Sequence, residues 1–86
     1  MATLDLMTAY VRELDAGYAA FERDDFAEAF RHFERAHILG QRRTRLHVRT
    51  HIAMLKLAWR RRDKREILGQ LSRVVAAAVF MLVSRE

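Results

Sequence analysis

The chain contains no cysteine, no proline and only three glycines in 86 residues. The absence of cysteine excludes disulfides, thiolate metal ligands and cysteine nucleophiles. Because proline and glycine interrupt helices, their scarcity in a chain rich in Ala, Leu, Arg and Glu predicts an all-helical fold. A chain of this length predicts one small domain over residues 1–86, and so small a core often needs a partner, a metal or close helix packing.

Signatures of enzymes and of exported proteins are missing as well. The sequence has no phosphate-binding loop, nucleophile elbow or dinucleotide glycine fingerprint, so we expect no catalytic activity. The N-terminus lacks a basic segment followed by an apolar run, the pattern of a signal peptide. The apolar run Val74–Val83 covers ten residues, about half of what spans a bilayer. These features predict a cytoplasmic protein that does not enter membranes.

Apolar residues recur at helical spacing in four segments, which predicts helices at about 5–22, 25–39, 44–60 and 63–83. Asp25 with Glu28, and Asp63 with Glu66, have the spacing of capping boxes. Thr44 is expected to cap helix 3. Gly40 is expected to end helix 2 in the left-handed conformation.

The two capping boxes lie 38 residues apart, and the apolar positions around them align. Such a period indicates a duplicated helical hairpin of tetratricopeptide size. The predicted fold class is therefore all-α, with four helices in two antiparallel, tetratricopeptide-like hairpins. Two hairpins fall short of the three repeats that a free solenoid usually needs, so we expect a compact arrangement or a dimer.

The apolar stripes predict which side of each helix is buried. On helix 1 the stripe includes Val11, on helix 3 it includes His51, Ile52 and Trp59, and on helix 4 it includes Leu68 and Val75. The end of helix 4 is apolar on every side, so one side would be exposed in a monomer. We expect self-association through helix 4, as a homodimer or another oligomer, or covering by a segment outside this sequence.

All four histidines lie within 20 residues, at His32, His37, His47 and His51. His37 and His47 flank the predicted turn between helices 2 and 3 at equal distance. His51 follows His47 by four residues, the usual spacing of two metal ligands on one helix. These three imidazoles can converge and would leave a coordination position open, which suits Zn, Cu, Ni or Fe, as a free ion or within haem.

His32 lies about 140° around the helix from His37 and does not share its face. It could act as a fourth ligand, between subunits, or pair with Glu28. Boundary histidines on amphipathic helices are commonly structural, so an interaction module with structural histidines is the alternative hypothesis.

Charge is distributed unevenly along the chain. Residues 4–34 are acidic overall, whereas Asp63 is the one acidic residue among the many arginines and lysines of residues 41–65. A basic segment can bind nucleic acid. However, the basic residues flank two turns expected at opposite ends, and no recognition motif is present. Nucleic-acid binding is therefore only the third hypothesis.

Several spaced elements occur in order: His-x4-His, Gly-Gln, His-x3-His and a second Gly-Gln. Over roughly residues 9–78 they resemble the uncharacterised bacterial family called domain of unknown function 3703. The resemblance extends to further positions: Phe33–Gln41, Met54, Leu55, Arg62, Asp63, Glu66, Gly69, Gln70 and Arg73. It implies a small helical protein of bacteria whose family genes often stand in metal-resistance surroundings, with all four histidines in the pattern. It also implies a C-terminal extension with glycine and proline, which this sequence lacks.

Residues and resemblance together favour a cytoplasmic, non-catalytic protein that binds a transition metal through His37, His47 and His51, with His32 as a possible fourth ligand. Storage, sensing or delivery of the metal would follow.

Overall fold

Four helices form the fold, as predicted. The structure, a computed structural model, describes residues 3–84, in which the helices are α1 (Thr3–Glu22), α2 (Phe26–Gly40), α3 (Thr44–Arg61) and α4 (Lys64–Ser84). Each bound lies within two residues of its prediction, and the described residues contain no strand. The predicted domain, 1–86, reaches two residues beyond the described part at either end.

The helices pack in chain order rather than as a closed bundle. The packed pairs are α1 with α2, α2 with α3, and α3 with α4. The array is correspondingly flat, with extents of 35 × 29 × 14 Å. Each inner helix is therefore covered on two sides, whereas α1 and α4 form the edges of the array.

The duplication predicted from the capping boxes is visible in the backbone of the two outer turns. Asp24 and Arg62, 38 residues apart, both adopt the left-handed conformation, with φ of 60° and 57°. The side chains of Asp25 and Asp63 each accept a hydrogen bond from the backbone N–H three residues later, at 3.4 and 3.1 Å. The α1–α2 and α3–α4 turns thus share a left-handed residue followed by an aspartate that caps the next helix.

The central turn differs from its prediction. Gly40 does not end α2 in the left-handed conformation; it is the last residue of the helix, and no glycine in the described residues has a positive φ. A Cβ at this position would lie 2.8 Å from Leu46 Cβ and 3.0 Å from Tyr10 Cε1. Glycine is needed here for close packing and not for its backbone freedom. Similarly, Thr44 is the first residue of α3 and Arg43 occupies the N-cap position.

The predicted buried faces of α3 and α4 are correct only in part. Ile52 and Trp59 are exposed, the latter by 70%, as are Leu68 and Val75 of α4 and Val11 of α1. His51 is buried as predicted, and the buried face of α3 also includes Thr50, which the apolar stripe left out. Leaving out Thr50 shifted the centre of the predicted face of α3 towards Ile52 and Trp59.

The outer side of α4 carries a row of exposed apolar side chains, in agreement with the composition of this segment. By length and composition alone, α4, with 21 residues, could cross a membrane, whereas the sequence argument counted only its ten-residue apolar run. Its inner side nevertheless packs on α3 and carries the buried Gln70. The absence of membrane insertion remains a prediction.

Candidate metal centre

Three histidines meet in the hairpin formed by α2 and α3. His37 lies in the last turn of α2, and His47 and His51 lie in the first two turns of α3. The Nε2 atom of His47 is 3.2 Å from Nε2 of His37 and 2.9 Å from Nε2 of His51. The ring centroids are 4.6–5.0 Å apart. The predicted convergence of these three side chains is confirmed.

A buried hydrogen-bond cluster holds the two helices at this separation. The Tyr10 hydroxyl, from α1, donates to the carbonyl of Leu46 at 3.1 Å and contacts the Thr50 hydroxyl at 2.9 Å. Thr50 donates to the same carbonyl at 2.8 Å. Tyr10 also lies against Gly40, where a side chain would separate the helices. Tyr10 and Thr50 are fully buried. Because Leu46 and Thr50 are the chain neighbours of His47 and His51, this cluster fixes the position of the first turns of α3, which carry the two histidines.

Gln70 of α4 determines which nitrogen of His51 carries the hydrogen. The Nδ1 atom of His51 lies 2.6 Å from Oε1 of Gln70. Gln70 Nε2 donates to Glu66 Oε1 at 2.8 Å, which fixes the orientation of the amide. Since Gln70 Oε1 can only accept, Nδ1 of His51 must donate, and Nε2 presents its lone pair to the other two rings. An outer hydrogen bond of this type orients metal-binding histidines in general.

Protons alone do not satisfy the three facing nitrogens. His47 Nε2 carries one hydrogen at most, and one hydrogen cannot point along both contacts, to His37 and to His51. The other contact would then bring two ring nitrogens together without a hydrogen between them. A metal ion would accept all three lone pairs at once.

Two of the three distances between the nitrogens suit such an ion. Tetrahedral zinc, with Zn–N bonds of about 2.0–2.1 Å, separates its ligand nitrogens by about 3.3 Å. The contacts of 3.2 and 2.9 Å are close to this value. Ligand atoms of all three histidines lie within 4.8 Å of one another.

Burial keeps two of the imidazoles in the form that binds metal. Desolvation lowers the pKa of His37 and the pKa of His51 below the ordinary value of 6.5. The charge of His47 adds to the effect at both, whereas the Gln70 hydrogen bond opposes it at His51. Both rings are thus neutral at pH 7, with a lone pair available.

The three rings form one wall of an open pocket of about 710 Å³. Arg42, at the central turn, and Arg73, on α4, line it too, and its apolar side consists of Ala76, Ala77 and Phe80. Three imidazoles fill three coordination positions of an ion. A fourth position facing this pocket would be open to exchange.

His32 does not join the other three. Its Nδ1 atom lies 2.7 Å from Oε2 of Glu13, on α1, and its Nε2 atom lies 3.1 Å from Oε1 of Glu28. This is the pairing with Glu28 that the sequence left open. A ligand role for His32 between subunits remains a prediction.

Sequence reasoning from spacing missed two residues of the site, Gln70 and Arg73. Both lie on α4, far along the chain from the histidines, and neither has a metal-ligand side chain in the usual sense. The signal that singled them out was the family pattern, in which both occur without a role.

Comparison with known proteins adds a family and nothing more specific. The sequence model of the family described as "Protein of unknown function (DUF3703)" matches residues 4–86. No curated protein and no solved structure matches the chain significantly. The match covers nearly the whole sequence and confirms the resemblance seen in the spaced histidine and Gly-Gln elements. The chain belongs to the DUF3703 family.

Proposed function

We propose that this protein is a small, cytoplasmic, non-enzymatic protein that binds a transition metal ion through His37, His47 and His51, for storage, sensing or delivery. The observation that carries the proposal is the convergence of three Nε2 atoms, one of them with its lone pair directed by Gln70. Imidazole nitrogens suit Zn, Cu, Ni and Fe, whereas Mg and Ca prefer oxygen ligands.

A single ion fits this cluster better than haem. Paired axial imidazoles of a haem approach from opposite faces of the porphyrin. Here the three rings converge from one wall of the pocket, with centroids no more than 5.0 Å apart. A porphyrin bound to one ring would collide with the other two.

Metal titration of the purified protein tests the proposal. We expect one ion of zinc, copper or nickel per chain, with submicromolar affinity, and loss of this affinity in the double variant His47→Ala/His51→Ala. The matched control is His32→Ala, which removes an imidazole outside the cluster. Weak binding that the double variant leaves unchanged would refute the proposal. Equal loss in His32→Ala would support the ligand role of His32 between subunits.

A second candidate function, the interaction module, is favoured by the outer side of α4. Five of its exposed apolar residues follow a three-and-four spacing, typical of the seam between paired helices. We name these residues the α4 seam: Leu68, Leu71, Val75, Ala78 and Leu82. Because α4 is an edge of the array, another helix could pack on its outer side, just as α3 packs on its inner side. A second copy of the chain carries the same seam and is the occupant we propose.

Light scattering after gel filtration tests this association. Wild type should run as a dimer at micromolar concentration, and Val75→Glu/Leu82→Glu should run as a folded monomer. Ser72→Glu, an exposed substitution on α4 outside the seam, is the control and should leave the dimer intact. A monomeric wild type would refute self-association. Co-sedimentation of that monomer with lipid vesicles, lost in the double variant, would assign the seam to a membrane surface.

Nucleic-acid binding receives no comparable support. The Arg60–Asp24 ion pair, at 2.9 Å, brings the α3–α4 turn to the same end as the α1–α2 turn. The basic residues near that turn therefore lie at the opposite end from those near the α2–α3 turn. No single basic groove joins them.

A further inference from the structure

The pocket beside the three histidines is positively charged, and no acidic residue that lines it balances this charge. Arg42 and Arg73 line the pocket, and no carboxylate lines it. Among residues 5–84, no ion pair is formed by either arginine. Arg73 is close enough to the imidazoles for its charge to lower the pKa of His37 and the pKa of His51.

The Arg73 side chain lies over Gly69, where the lack of a side chain leaves room for it. A Cβ at residue 69 would lie 3.1 Å from Nη1 of Arg73, so the guanidinium lies back along α4 over the glycine. This is the direction in which long side chains extend on a helix. The glycine is followed by Gln70, which binds His51. One turn of α4 thus supplies both the residue that orients a ligand and the guanidinium beside it.

The nearby carboxylates do not neutralise the pocket, because one is hydrogen-bonded to another residue and one lies outside the pocket. Glu66 Oε1 accepts from Gln70, on the far side of that amide from His51. Glu34 is close enough to raise the pKa of His37 but does not line the pocket. A divalent ion held by three neutral imidazoles would keep its two positive charges, and two guanidiniums would add to them. Its fourth ligand should therefore be an anion.

We propose that this pocket binds a small organic carboxylate, whose carboxylate group occupies the open position of the metal and contacts Arg73 and Arg42. Guanidinium groups bind carboxylates in a planar, bidentate geometry. The apolar wall of Ala76, Ala77 and Phe80 would contact the organic part of the ligand, and a volume of about 710 Å³ has room for it. This inference rests on the proposed metal site and names its exchangeable ligand.

Cobalt(II) gives a direct spectroscopic test. Its visible absorption reports the ligands of the ion, so cobalt-loaded protein is titrated with benzoate, with the uncharged analogue benzamide and with inorganic phosphate. Benzoate should change the spectrum with saturation, while benzamide should not and phosphate should bind more weakly. In Arg73→Gln, benzoate binding should weaken about tenfold or more, since a charge-assisted contact is lost. Arg65→Gln, which removes an exposed charge from the same helix outside the pocket, should bind benzoate like wild type.

The affinity for cobalt itself separates this role from a structural one. Arg73→Gln should bind cobalt at least as tightly as wild type, because it removes a positive charge near the ion. Cobalt loading without a response to benzoate, an equal response to benzamide, or equal benzoate affinity in Arg73→Gln would refute the carboxylate site and leave the metal site standing. Phosphate binding as tight as that of benzoate would also refute an organic ligand. Failure of wild type to bind cobalt would refute the proposed function, and this inference with it.

Discussion

Replacement of Gln70 by leucine tests how far the site depends on its outer hydrogen bond. Gln70 is buried, with 4% exposure, and its Oε1 accepts from Nδ1 of His51 at 2.6 Å. Leucine has a similar size but no acceptor, so His51 is no longer held in the tautomer that presents Nε2 to the metal. Loss of such a contact typically weakens metal binding 10- to 100-fold, or by about 1.4–2.7 kcal/mol.

The metal-free protein should lose stability as well. Gln70→Leu leaves the buried Nδ1–H of His51 without its acceptor, at a cost of about 1–3 kcal/mol in the free energy of unfolding. This loss is present with and without metal. The difference between the two melting temperatures of each variant therefore isolates the effect on binding.

Thermal unfolding with and without excess zinc is the assay. At a fixed zinc concentration well above Kd, 10- to 100-fold weaker binding removes about 1.4–2.7 kcal/mol of the stabilisation by metal. For a domain of this size the zinc-induced rise in Tm should shrink by roughly 6–20 °C. Gln41→Leu is the matched control, because Gln41 also lines the pocket but is exposed. An equal zinc-induced rise in wild type and Gln70→Leu would refute the role of Gln70.

Two further predictions concern the protein without metal. Because burial lowers the pKa of His37 and of His51, the unfolded chain binds protons more readily than the folded protein. The free energy of unfolding should therefore decrease as pH falls below about 6.5. Denaturant titrations should show a smaller decrease in His37→Asn/His51→Asn, and an unchanged dependence of the free energy of unfolding on pH in this variant would contradict the prediction. Gly17→Ala should destabilise by about 1–3 kcal/mol, because its Cβ would collide with the buried ring of Phe33. Gly69→Ala should instead stabilise by about 0.5–1 kcal/mol, because its Cβ would meet only the end of the long Arg73 side chain, which can shift by a few tenths of an ångström. Equal effects of the two alanines in thermal melts would contradict the packing argument.

Local sequence determined the elements and their turns. The carboxylates of Asp25 and Asp63 cap helices because a short acceptor at that position reaches the free N–H groups of the first turn, whatever the rest of the chain does. The convergence of His37, His47 and His51 could be predicted for a related reason. Two helices joined by a short turn must run antiparallel, so residues at equal distances from the turn lie side by side.

Tertiary packing decided the rest, because it depends on which neighbour each helix meets. The buried face of α3 follows from its place between α2 and α4, and it includes Thr50, a polar residue that the apolar period did not reveal. Gly40 is required by the approach of Tyr10, a residue 30 positions earlier in the sequence. Likewise, only the docking of α4 brings Gln70 to His51 and Arg73 to the pocket. The sequence by itself thus determined which rings can meet, whereas the fold decided what orients them and which charges surround them.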